Sequence, residues 1–155
     1  MLVKKLLIVA NMPSDNTKRL AEQVLAGANS DEAEGVRTLL RSPFDTSPQD
    51  VIECDAIILG TTENLGYMSG ALKDFFDRIY YPCLEVKQGL PCALYIRAGH
   101  DGTGTRRAVE TIVTGLKWHW IRPPLLLKGE YQEDFAQQCH ELGELVAVSL
   151  SAGII

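Results

Sequence analysis

The chain has 155 residues, a length that one hydrophobic core can serve, because a chain of this size buries roughly 70% of its unfolded surface. Fifteen Lys and Arg against twenty Asp and Glu leave a formal net charge of −5, so neither nucleic acid nor an anionic membrane surface is expected as a partner. Hydrophobic residues at 46% and charged residues at 23% exclude a disordered or fibrous chain.

Cys54, Cys83, Cys92 and Cys139 are scattered with no C-x-x-C, which reads as a reduced, cytoplasmic protein. The apolar run behind Lys4 and Lys5 ends at Ala10, too soon for a signal peptide, and no apolar stretch reaches the roughly 18 residues of a membrane span. One domain over residues 1–155 is expected.

In chain order, Leu6–Ala10 is the first of several short, nearly continuous apolar runs that suit strands covered on both faces. The polar segment Asn11–Thr17 leads into a helix with Leu20, Ala21, Val24, Leu25 and Ala28 on one face. Val36–Leu40, interrupted by Arg37 and Thr38, reads as an edge strand. Ser47 as N-cap and Pro48 at the first helical position begin a brief helix ending near Glu53. Ala56–Leu59 is the third strand; beyond the glycine-rich Gly60–Gly70 comes a helix carrying Leu72, Phe75, Phe76 and Ile79. Cys92–Ile96 is the fourth strand, and Ala108, Val109, Ile112, Val113 and Leu116 mark the helix after it. Trp118-His119-Trp120 with Pro123 and Pro124 forms an aromatic, turn-making segment suited to core or subunit packing. Leu125–Leu127 is the last strand, and Phe135, Cys139, Leu142, Leu145, Val146 and Leu150 stripe the last helix.

This alternation predicts an α/β fold: a doubly wound, five-stranded parallel sheet with helices on both faces, for which the commonest strand order is 2-1-3-4-5. Ligands of such sheets sit at the switch between the first and third strands, which directs attention to Asn11–Thr17 and Thr61–Ser69. In the first loop, Ser14, Asn16 and Thr17 suit a phosphate at a helix start and equally suit helix capping. Asp15 adds a carboxylate there, and the absence of G-x-x-x-x-G-K-[ST] argues against a nucleoside triphosphate. The second loop, which with its flanks Gly60 and Gly70 has three glycines and a Tyr-Met pair, suits a flat, partly apolar ligand or a plain strand-to-helix connection.

Other chemistry is not signalled. His100, His119 and His140 lie far apart, so no metal site is expected, and no G-x-S-x-G follows a strand. Asn11 and Gly60 stand where a phospho-acceptor receiver would carry acids. Gly99–Gly104 reads G-x-x-G-x-G and lacks the dinucleotide fingerprint; Arg106 and Arg107 beyond it suit either dinucleotide phosphates or an exposed helix start.

The stretch GTTENLGYMSGALKDFFDRIYYP (60–82) resembles the second flavin loop and following helix of flavodoxin-like FMN proteins, especially the small NAD(P)H-dependent FMN reductases. The family pattern runs roughly G-T-P-x-N-x-G-x-(M/P)-S-G-x-L-K-x-F-x-D-R. LLIVANMPSDNTKRLAEQVLAGA (6–28) resembles the family's opening strand, phosphate loop and helix, with Asp15 at a common Gly and Thr62 at a common Pro. The resemblance implies that Ser14, Asn16 and Thr17 hold the phosphate of FMN. Thr61, Glu63, Asn64, Leu65, Gly66, Tyr67 and Met68 would line the ribityl chain and ring, with Gly99 and His100 in a third flavin loop. It further implies NAD(P)H as transient co-substrate, a small electron acceptor such as a quinone, and subunit pairing as a homodimer. The chemistry would be the cofactor's, so no catalytic side chain is assigned. Five βα units occupy nearly the whole 155 residues, so the nicotinamide is expected to visit the flavin crevice itself. Two other readings stay open: a flavodoxin-type carrier fed by a protein reductase, and a flavin-free interaction module.

Overall fold

The computed structural model describes residues 2–155. Its elements follow the alternation: β1 Lys4–Ala10, α1 Asp15–Ala28, β2 Val36–Arg41, α2 Pro48–Glu53, β3 Ala56–Asn64, β4 Tyr67–Met68, α3 Gly70–Cys83, β5 Pro91–Ala98, α4 Thr103–Leu116, β6 His119–Trp120, β7 Leu125–Lys128 and α5 Glu133–Ser151, with a 3-10 turn at Pro43–Asp45. The sheet runs β2-β1-β3-β5-β6, with β7 also parallel to β5 and β4 antiparallel to β3. Taking β6 and β7 as one interrupted strand, this is the doubly wound order expected from the alternation.

Two details differ from the sequence reading. The last strand is split: β5 pairs with His119–Trp120 through Pro91–Cys92 and with Leu125–Lys128 through Tyr95–Ala98. Pro123 and Pro124 lie between the halves, and prolines have no N–H to give to the ladder. The second difference is that Thr61–Ser69 is not a loop throughout. Strand β3 continues to Asn64, turns at Leu65-Gly66, and returns as β4.

Alternation along the strands divides the core into two layers. Leu7, Val9, Ile57, Leu59, Leu94 and Ile96 face α2, α3 and α4, where Leu72, Phe75, Phe76, Val109 and Val113 meet them. Leu6, Ile8, Ile58, Ala93 and Tyr95 face α1 and α5, against Leu20, Val24, Cys139, Leu142 and Val146. Each such apolar side chain contributes on the order of 1.5–3 kcal/mol when fully buried. Helices α1 and α5 approach so closely that a Cβ on Gly27 would lie 1.9 Å from the His140 carbonyl oxygen, and one on Gly143 would lie 2.0 Å from that of Val24. No described helix is long and apolar enough to cross a membrane.

Candidate functional site

Parallel strands β1, β3 and β5 end side by side, delivering three connections to one rim: Asn11–Ser14, the β3–β4 hairpin, and Gly99–Gly102. One residue below the rim, Gly60 lets the Tyr95 ring lie across β3, for a Cβ there would fall 2.3 Å from that ring. Tyr95 is 3% exposed, and its hydroxyl has no hydrogen-bond partner among the described residues.

At the first connection Ser14 is the N-cap of α1. Its Oγ accepts from the Thr17 N–H at 3.2 Å, and its own N–H donates to Thr17 Oγ1 at 2.9 Å. Both side chains are thus engaged in a capping box, as one of the two sequence readings required. The same cap leaves the N–H groups of Asp15 and Asn16, in the first turn, without an intrahelical acceptor. Free N–H groups and the positive end of the helix dipole together suit an anion. Asp15 does not have a left-handed backbone, so its lack of a glycine introduces no strain there. Its exposed carboxylate is free to turn into solvent.

The second connection is a tight hairpin. Leu65 (φ 53°) and Gly66 (φ 77°) both have positive φ, the signature of a two-residue turn whose twist matches the strands. Leucine is a strained choice in that conformation, and its side chain is fully exposed at the tip. Thr61 Oγ1, nearly buried, accepts from the Ser69 N–H at 3.0 Å and so ties the hairpin's two arms. Asn11 Nδ2 donates to Thr62 Oγ1 at 3.2 Å, and that hydroxyl donates to Asn64 Oδ1 at 2.7 Å, linking the first connection to the second.

Ties between the second and third connections are stronger. The Glu63 carboxylate accepts from the backbone N–H groups of His100 at 3.0 Å and Gly102 at 2.9 Å. Thr105 Oγ1, wholly buried, donates to the Tyr67 carbonyl at 2.9 Å. Gly104 packs so tightly on the hairpin tip that a Cβ there would lie 2.1 Å from the Gly66 carbonyl oxygen. Asp101 Oδ1 accepts from the Thr103 N–H at 3.0 Å, which holds its carboxyl below the usual carboxylate range.

The residues singled out from the sequence therefore gather at one end of the sheet but face different ways. Ser14, Asn16, Asn64, Leu65, Gly66, Tyr67, Gly99 and His100 are exposed on the rim. Thr61, Thr17 and Met68 are buried, with Met68 at 2% exposure packed into the layer under α3. Glu63 is spent on the third connection. Sequence reading placed Asn11, Thr62 and Gly104 in the three loops without joining them and passed over Thr105, since no local spacing signals a contact between distant loops. Arg106 is partly neutralised by Glu110 at 3.4 Å and lines a cleft of about 340 Å³ with Trp120, Arg122 and Pro123.

Comparison with known proteins agrees with the fold. No family model matches the chain. A flavodoxin from Aquifex aeolicus (strain VF5) is 31% identical over 113 residues, which take in 72% of this chain and 60% of the relative's length. Among solved structures, a flavodoxin from the domain Archaea superposes with a TM-score of 0.79 at 21% identity, covering 96% of this chain and 99% of the other. A flavodoxin, WrbA-like protein from Agrobacterium tumefaciens superposes with a TM-score of 0.75 at 16% identity, covering 97% and 98%.

Proposed function

We propose that this chain, which shares the fold of flavodoxins, binds FMN at the three-loop rim and passes electrons from NAD(P)H to a small acceptor such as a quinone. The observation that carries the reading is the meeting, on one rim, of an anion-ready helix start with a preformed hairpin unit. When bound, FMN supplies the redox chemistry itself. The chain's own residues bind and orient. The N–H groups of Asp15 and Asn16, with the Asn16 side chain, hold the phosphate. Leu65 and Tyr67, exposed beside the third connection, give apolar and aromatic surface to a flat ring.

The cleft beside α4 supports direct use of NAD(P)H. Its Arg122, and Arg106 shared with Glu110, offer charge to phosphates, while the first turn of α4 adjoins the third connection. A second reading, a carrier supplied by a protein reductase, is favoured by the likeness to a flavodoxin. Anaerobic mixing of the FMN-loaded protein with NADPH or NADH separates the two. Loss of the visible flavin absorbance without any added reductase is the expected result, and its persistence favours the carrier.

A further inference from the structure

Within its own length, Gly99–Gly102 is tied to the hairpin by a single side chain. It contains two glycines, Gly102 has a left-handed φ of 72°, and both Gly99 and His100 are exposed. Upstream it is anchored where β5 ends at Ala98, whose carbonyl accepts from the Gly129 N–H at 2.9 Å. Downstream it is anchored by the start of α4, through Thr105 on the Tyr67 carbonyl and Gly104 on the hairpin tip. Between these anchors the described residues provide one tie to the hairpin: the two N–H groups that converge on Glu63.

We propose that Glu63 is a positioning residue, a latch that fixes the third connection against the hairpin and so sets the width of the cofactor slot on the ligand-free protein. The inference rests on the FMN reading for its purpose, but the latch itself is a property of the chain alone. The chemistry requires a carboxylate. The two converging N–H donors take one oxygen each, and an ionised carboxylate supplies both as charged acceptors. Glutamine supplies one oxygen and turns an NH2 toward the other donor; alanine supplies none. Glycines flanking the tie make it consequential, because an untied glycine-rich segment has many conformations to spread into. With both oxygens held by backbone, Glu63 acts on the cofactor through the backbone of His100 and Gly102.

The test compares the wild-type protein with Glu63→Gln, Glu63→Ala and Glu63→Asp by amide hydrogen exchange without FMN, then by FMN titration. Expected in Glu63→Gln is at least tenfold faster exchange at His100 or Gly102, and faster exchange at both in Glu63→Ala. Ile8 and Ile58 in the core should stay as protected as in wild type, showing that the fold is kept. Glu63→Asp, with its carboxylate on a shorter arm, should restore part of the protection. The FMN dissociation constant should rise at least fivefold in Glu63→Gln and recover in part in Glu63→Asp. Unchanged exchange at both amides overturns the latch; faster exchange with an FMN affinity within twofold of wild type overturns its positioning role. If the wild-type protein binds no FMN, the functional reading fails while the exchange series still decides whether the latch exists.

Discussion

Leu65 is a bulky L-residue in left-handed backbone, with its side chain wholly in solvent. Such strain persists where surrounding structure enforces it and gathers at functional rims. Leu65→Asn relieves it, since asparagine tolerates this backbone, and is expected to raise unfolding free energy by roughly 0.5–1.5 kcal/mol in urea titration. If Leu65 covers the ring, the same substitution weakens FMN binding, so stability and affinity move in opposite directions. Tyr95 has the opposite problem: a buried hydroxyl without a partner among the described residues. Removing an unsatisfied polar atom while keeping the ring that roofs Gly60 should be neutral or stabilising by about 1 kcal/mol in Tyr95→Phe, and a clear loss of stability would mean that the hydroxyl is hydrogen-bonded in solution.

Most elements were legible because each announces itself locally. Both-face burial gave the strands continuous apolar runs, and helical spacing marked the apolar faces of α1, α3, α4 and α5. What escaped depends on partners far along the chain. The β3–β4 hairpin carries Leu where a turn of its type favours Asn or Gly, so its turn signal was weak. The break in the last strand needed the register against β5, although Pro123 and Pro124 were visible as punctuation. Gly27 and Gly143 sat unremarked in helical stripes, yet each lets α1 and α5 approach backbone to backbone. Gly143→Ala should push the two helices apart and cost about 1–3 kcal/mol or more, measured by thermal or urea unfolding. At the first connection both readings of Ser14 proved compatible, because the cap that orders α1 leaves the next two N–H groups free. Ser14→Ala is accordingly expected to cost about 1 kcal/mol of stability and to weaken FMN binding; a change in stability with no change in affinity would restrict Ser14 to capping.

On the scale of the molecule, the sheet's winding matters more than any single residue, because it alone brings residues 11–17, 61–69 and 99–104 to one rim. The same two-layer core governs response to pH. Burial pushes the thiols of Cys54, Cys92 and Cys139 up to about 12, against an ordinary value of roughly 8.5. The folded protein then keeps protons that the unfolded chain sheds. The stability this gives is complete below about pH 8.5 and is lost as pH climbs toward 12, by at most about 1.4 kcal/mol per pH unit for each thiol. Urea midpoints should therefore fall steeply above pH 9, and Cys139→Ala should flatten that slope; a midpoint constant to pH 11 would contradict the burial of these thiols.

Binding of FMN at the rim is checked by titrating the protein into FMN and following flavin fluorescence. Saturable quenching at one FMN per chain, weakened by free phosphate competing at the start of α1, is the expected result. Fluorescence that stays at the level of free FMN through an excess of protein would contradict it.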